Sequence, residues 1–198
     1  MIRLIISMVA FSLLVVQPVM AEEAADSQHA DYAILGGASP FGGSLSFATH
    51  QSTKTSFLFT LGGLPSGLLS MDGTDIGGNK YDIEVSNSWV GAFVNHRPVD
   101  GADWFRLVAG IGIGNIENTL TAEDGTEYEA NYRENPVGYL GFGFGADTSK
   151  GFQWGVDIGW LQTAGPDVSV SKPGTGPANP DAVADIKDNW MFGKALPN

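Results

Sequence analysis

Residues 152–161 read Phe-Gln-Trp-Gly-Val-Asp-Ile-Gly-Trp-Leu and alternate almost without error. Side chains of an extended chain point alternately to opposite faces. Phe152, Trp154, Val156, Ile158 and Trp160 therefore share one face, and Gln153, Gly155, Asp157 and Gly159 share the other. A soluble sheet buries its apolar face and turns a charged face to water. Here the second face is mostly glycine. That suits a crowded, polar barrel interior and leaves the large aromatic face to meet lipid.

The start of the chain agrees with export. Arg3 precedes an apolar run from Leu4 to Val16, and Val19-Met20-Ala21 offers small residues before Glu22. A run this short with such an end reads as a signal peptide over residues 1–21 rather than a membrane anchor. Residues 22–31 are small and acidic and read as a flexible N-terminal stretch, and residues 32–198 as one barrel domain. The formal net charge of −12 disfavours nucleic acid as a partner. The chain has no cysteine, which excludes disulfides and thiolate metal sites. Charged residues make up only 16%, against about 25% in ordinary soluble domains. With 27 glycines and no apolar run long enough for a spanning helix outside the leader, the membrane option left is a β-barrel.

Strand-like segments are expected at about 33–49, 55–64, 80–94, 104–116, 137–146 and 152–161, the last extending toward Val168 and Val170. In 80–94, Tyr81, Ile83, Val85, Trp89 and Phe93 share one parity and Val90, Ala92 and Val94 the other, which predicts a bulge or phase shift. Between the strands, short turns at 50–54, 95–103 and 147–151 alternate with longer loops at 65–79, 117–135 and 171–185. Short turns on one side and long loops on the other are the habit of outer-membrane barrels.

On the signal sequence, the alternating loop lengths, and the strands Gly138–Gly145, Phe152–Leu161 and Trp104–Gly114, the chain resembles small Gram-negative outer-membrane β-barrel proteins of the outer membrane protein A and W class. The resemblance implies an all-β, antiparallel up-and-down transmembrane β-barrel of about eight strands with a narrow or plugged lumen. It implies the outer membrane as location after cleavage near Ala21. Outer-membrane lipid, lipopolysaccharide and the barrel-assembly machinery are the implied partners. Such barrels usually end in a strand with a terminal aromatic residue, whereas residues 195–198 read Ala-Leu-Pro-Asn. The reading preferred is that the closing C-terminal strand is missing. The other is that 33–49 holds two strands and the ring closes elsewhere.

Catalytic signals are thin. Gly110, Gly112 and Gly114 lie inside a strand at period two, not at the strand-to-helix turn that phosphate binding requires. His50 and Ser52 have the His-x-Ser spacing of outer-membrane lipid A deacylases, yet fall in an expected periplasmic turn, away from the outer leaflet. His29 and His96 have no partner at metal-ligand spacing. Catalytic, cofactor and metal residues are thus expected to be none. Arg106 and Asp157 point toward the expected lumen, and a buried charge needs a partner. They are expected to form an interior ionic network with Glu84, stapling a plugged barrel or selecting solutes. Trp89, Trp104, Phe152, Trp154 and Trp160 are expected at the membrane interfaces. The acidic stretch 117–135 is a solvated external loop that could meet cations bridging lipopolysaccharide.

The function expected is a non-enzymatic outer-membrane barrel with an envelope structural, adhesive or narrow-pore role. The alternative is a secreted or periplasmic soluble β-barrel or sandwich binding a small apolar ligand. A lipid A-modifying enzyme is the remote third reading.

Overall fold

The computed structural model describes residues 12–17, 30–133, 135–145, 147–176 and 179–198. Its strands in chain order are β1 (Ser12–Gln17), β2 (Tyr32–Ser39), β3 (Gly42–His50), β4 (Thr55–Ile76), β5 (Asn79–His96), β6 (Phe105–Ala122), β7 (Glu127–Arg133), β8 (Val137–Gly145), β9 (Gln153–Gln162), β10 (Asp167–Lys172) and β11 (Ala195–Pro197). One helix, α1 (Ala182–Asp188), follows β10. Every pairing is antiparallel. The fold is an up-and-down β-barrel.

β2 to β6 pair in succession, and β6 continues into β8 and β8 into β9. Along the free edge of β9, two separate segments share one lane. β11 pairs with Trp160–Gln162, and Asn198 exchanges two 2.8 Å backbone hydrogen bonds with Gly159. Below them β1 pairs with Gln153–Asp157 and, on its other edge, with β2. β1 falls within the expected signal peptide, whose cleavage site lies outside the described residues. Without β1 the sheet is open between β2 and β9.

Two expectations about chain path change. The stretch 33–49 is two strands, reversed at Pro40-Phe41 with Gly42 at φ +89°. The expected loops 65–79 and 117–135 are largely strand. β4 and β5 run on to a two-residue turn at Gly77 and Gly78, with φ +60° and +81°, the left-handed pair a tight hairpin requires. β6 and β7 likewise extend to a turn at 123–126. β10 leaves the line of β9 after Thr163–Pro166 and pairs with β7, just as β9 pairs with β8. The upper parts of β4, β5 and β6 thus join β7 and β10 in a sheet extending beyond the ring.

This extension has its own core. Leu64, Ile76, Tyr81, Ile83, Val85, Leu120, Tyr128 and Ala130 pack with Ala182 and Ile186, four apart on α1, and with Phe192. The expected phase shift in 80–94 therefore does not occur. The β5–β6 register is unbroken from Tyr81 to His96, and odd-numbered residues face inward throughout. What changes is the surroundings. The inward residues Tyr81, Ile83 and Val85 build the extension's core, whereas beside the ring the outward Val90, Ala92 and Val94 form the apolar face. The register shifts fall instead on β4, between Leu64 and Leu69 and between Met71 and Thr74.

Around the ring the outward positions are apolar or small. They include Ile34, Leu45, Phe47, Phe57, Phe59, Leu61, Val90, Leu107, Ile111, Ile113, Leu140, Phe142 and Phe144, all well exposed. Among the described residues no Asp, Glu, Lys or Arg interrupts this belt. From Phe105 to Ile113 it spans about 27 Å of strand. Beyond it the outward residues turn polar at once: Glu117 on β6, and Glu84, Asp82 and Lys80 on β5.

Candidate functional site

The lumen is floored by an ion pair. Arg106 on β6 and Asp157 on β9 flank Gly143 on β8, in register on three adjacent strands. Arg106 Nη2 donates to Asp157 Oδ1 at 2.7 Å, and Nη1 donates to the Gly145 carbonyl. Arg106 is only 1% exposed. Gly143 makes the pair geometrically feasible, since a Cβ there would collide with both the Arg106 side chain and the Asp157 carboxylate. Glu84 is not part of this network. It faces outward from the extension opposite Ser70 and Thr119, because it stands on the even parity of β5 above the ring.

Above the pair, three rings cross the lumen edge to face. Trp89 meets Phe93 at 6.4 Å and 80°, and Phe93 meets Tyr139 at 5.9 Å and 79°. Their seats are glycines. A Cβ on Gly62 would strike the Trp89 indole, one on Gly91 or Gly110 the Phe93 ring, and one on Gly141 or Gly159 would lie 2.6 Å from the Tyr139 hydroxyl. Trp89 is therefore not an interface residue as expected. Its indole N–H donates inward to the Phe41 carbonyl at 3.2 Å. Trp104, Phe152, Trp154 and Trp160 are exposed outward, with Trp104 stacked on Phe144 at 6.2 Å.

The mouth is capped. Ile116, Tyr132 and Leu196 are buried together, with Phe41 and Leu161 packed against them. The Tyr132 hydroxyl donates to the Phe192 carbonyl, tying the C-terminal segment over the opening. Burial raises the Tyr132 pKa well above its ordinary value. Between cap and floor lies a partly open cavity of about 140 Å³.

Sequence reasoning does not place Trp89, Phe93 or Tyr139 in the lumen. Their signal was there: each lies at period two with inward polar or glycine neighbours, Asn87 and Asn95 on β5 and Gly141 on β8.

A hydrolytic His-x-Ser pair does not form. The Ser52 hydroxyl accepts the backbone N–H groups of Lys54 and Thr55, as in an ordinary turn, and His50 Nδ1 lies 2.6 Å from Ser56 Oγ instead. His96 Nδ1 lies 3.0 Å from Thr55 Oγ1, and His29 is outside the described residues. In the acidic stretch, the Asp124 carboxylate accepts the N–H and hydroxyl of Thr126. The Thr126 N–H draws its pKa below the usual carboxylate value. No cluster of three or more metal-ligating side chains occurs among the described residues.

The fold is similar to that of Acinetobacter baumannii CarO. The crystal structure of that outer-membrane β-barrel protein superposes with a TM-score of 0.55 at 17% identity, covering 96% of this chain and 92% of that one. At this identity the likeness concerns the fold. No protein-family model matches the sequence, and no curated protein matches it.

Proposed function

We propose that this chain is a non-enzymatic outer-membrane β-barrel whose role is envelope structure or adhesion, carried by the sheet and helix that extend beyond the ring. The observation that carries the reading is the uncharged outward belt, sharply bounded by acidic residues on β5 and β6. An exposed apolar surface of this extent is at odds with a water-soluble monomer and is what hydrocarbon requires. The CarO-like fold supports the same setting. Lipid and lipopolysaccharide would surround the belt, and the barrel-assembly machinery would insert it.

The structural role is favoured over a pore because the lumen is barred at one end by the Arg106–Asp157 pair, crossed by the three rings and covered at the other end by the Tyr132–Leu196 cap, which leaves a cavity but no through-path.

A charge scan along β5 and β6 tests the membrane setting. Ile111→Arg, in the belt, is expected to cost about 2–4 kcal/mol of folding stability in lipid. Glu84→Arg, on the extension, is expected to cost under about 0.5 kcal/mol. Equal tolerance of both, with the protein recovered in the soluble periplasmic fraction, would overturn the reading.

A further inference from the structure

We propose that the lumen cavity is a binding site for a neutral, ring-sized, largely apolar molecule carrying one hydrogen-bond donor. This goes beyond the envelope role, which needs no ligand.

The size is the first argument. A cavity of about 140 Å³ is close to the roughly 150 Å³ of an engineered protein cavity that stays dry and takes up benzene. The walls are the second. Trp89, Phe93, Tyr139, Leu58 and Val108 line it, and Trp89, Phe93 and Tyr139 stand edge to face rather than stacked, leaving ring surface turned to the space. A water molecule needs two to four polar partners to be held, and most of this surface offers none.

The polar content is sparse and specific. Ser46 Oγ and Thr60 Oγ1 are bonded to each other at 2.7 Å. On the floor, Asp157 is engaged by Arg106, so the two charges answer each other and call for no charged ligand. Asn95 differs. It is 6% exposed, lines the cavity, and its Oδ1 accepts no hydrogen bond. An acceptor left bare in a buried place is costly, and a donor on the ligand would satisfy it. A phenol has the size, the apolar face and the single donor.

The test uses the full chain folded in detergent micelles, its folded state read by an SDS mobility shift on heating. 4-Fluorophenol and fluorobenzene are titrated and followed by fluorine NMR. The expected result is saturable binding of both, with 4-fluorophenol about fivefold or more tighter, the difference one hydrogen bond makes. Asn95→Leu is expected to erase that preference while fluorobenzene still binds. Val108→Phe fills the space and is expected to abolish saturable binding of both. Leu58→Phe serves the same purpose if the first variant does not fold.

Only linear partitioning into micelles by folded protein would overturn the proposal. So would undiminished binding in a folded cavity-filling variant. Persistence of the phenol preference in Asn95→Leu would overturn the assigned acceptor. Because the mobility shift is read on the same samples, loss of the barrel itself is recognised separately.

Discussion

Arg106 and Asp157 meet across Gly143: the two charged side chains come from strands that are not neighbours, and the strand between them contributes a residue without a side chain. Two opposite charges in a narrow lumen, joined at 2.7 Å, lock β6, β8 and β9 in one register. Removing one partner leaves the other as a buried charge. Asp157→Ala is therefore expected to destabilise the barrel by about 3–5 kcal/mol, measured as a lower temperature for the heat-induced mobility transition. The paired replacement Arg106→Met with Asp157→Leu is expected to recover most of the loss, since burying a matched apolar pair avoids desolvating two ions.

The glycines of the lumen are seats for rings. Gly110→Ala places a methyl into the Phe93 ring and against the Ala92 carbonyl. Gly138→Ala, on the outward face of the same sheet, meets nothing nearer than 3.9 Å. The first is expected to cost about 1–3 kcal/mol through overpacking and the second less than about 0.5 kcal/mol. Denaturation of both variants in the same detergent checks the contrast. Equal effects would mean that the rings do not lie against the glycines.

The extension beyond the ring has a pH limit set by its tyrosines. Burial, followed by the nearby Tyr128, Asp185 and Asp124, raises the Tyr81 pKa above 10.0, and burial followed by Asp124 raises that of Tyr128. Such phenols stay neutral in the folded state at pH values where the unfolded chain would ionise. Their contribution to stability is complete below the unfolded pKa near 10 and is lost as pH rises through the raised folded values. The expected outcome is loosening of the extension above pH 10, seen as a late rise in tyrosinate absorbance with loss of near-ultraviolet circular dichroism. The ring, which does not depend on these groups, is expected to keep its mobility shift.

Much of the ring was legible because period two is a strong signal wherever one face is large and apolar and the other small. In 104–114, 137–146 and 152–161 the large apolar face and the glycine face are separated residue by residue. That separation places Arg106 and Asp157 on the inner wall from the sequence alone. The extension was less legible because its apolar face is the inner one. Tyr81, Ile83 and Val85 occupy the parity that holds Asn87 and Asn95 lower on the same strand, so a continuous strand looked like a slipped one. Trp89 was misplaced for the same reason: an aromatic near the end of the belt reads as an interface anchor until its parity is traced. The Gly77-Gly78 turn was hidden in a glycine- and aspartate-rich stretch that resembles a loop by composition. Glu84 failed as a lumen residue because the apolar odd-numbered face of β5 turns inward in the extension, which leaves the even-numbered Glu84 facing out.

The most direct test of the membrane-barrel account is the electrophoretic mobility of the protein from cell fractions, unheated and boiled in SDS. A folded lipid-embedded barrel is expected in the outer-membrane fraction, resisting SDS when cold and changing mobility after boiling. Protein found soluble in the periplasm, with the same mobility before and after boiling, would contradict the account.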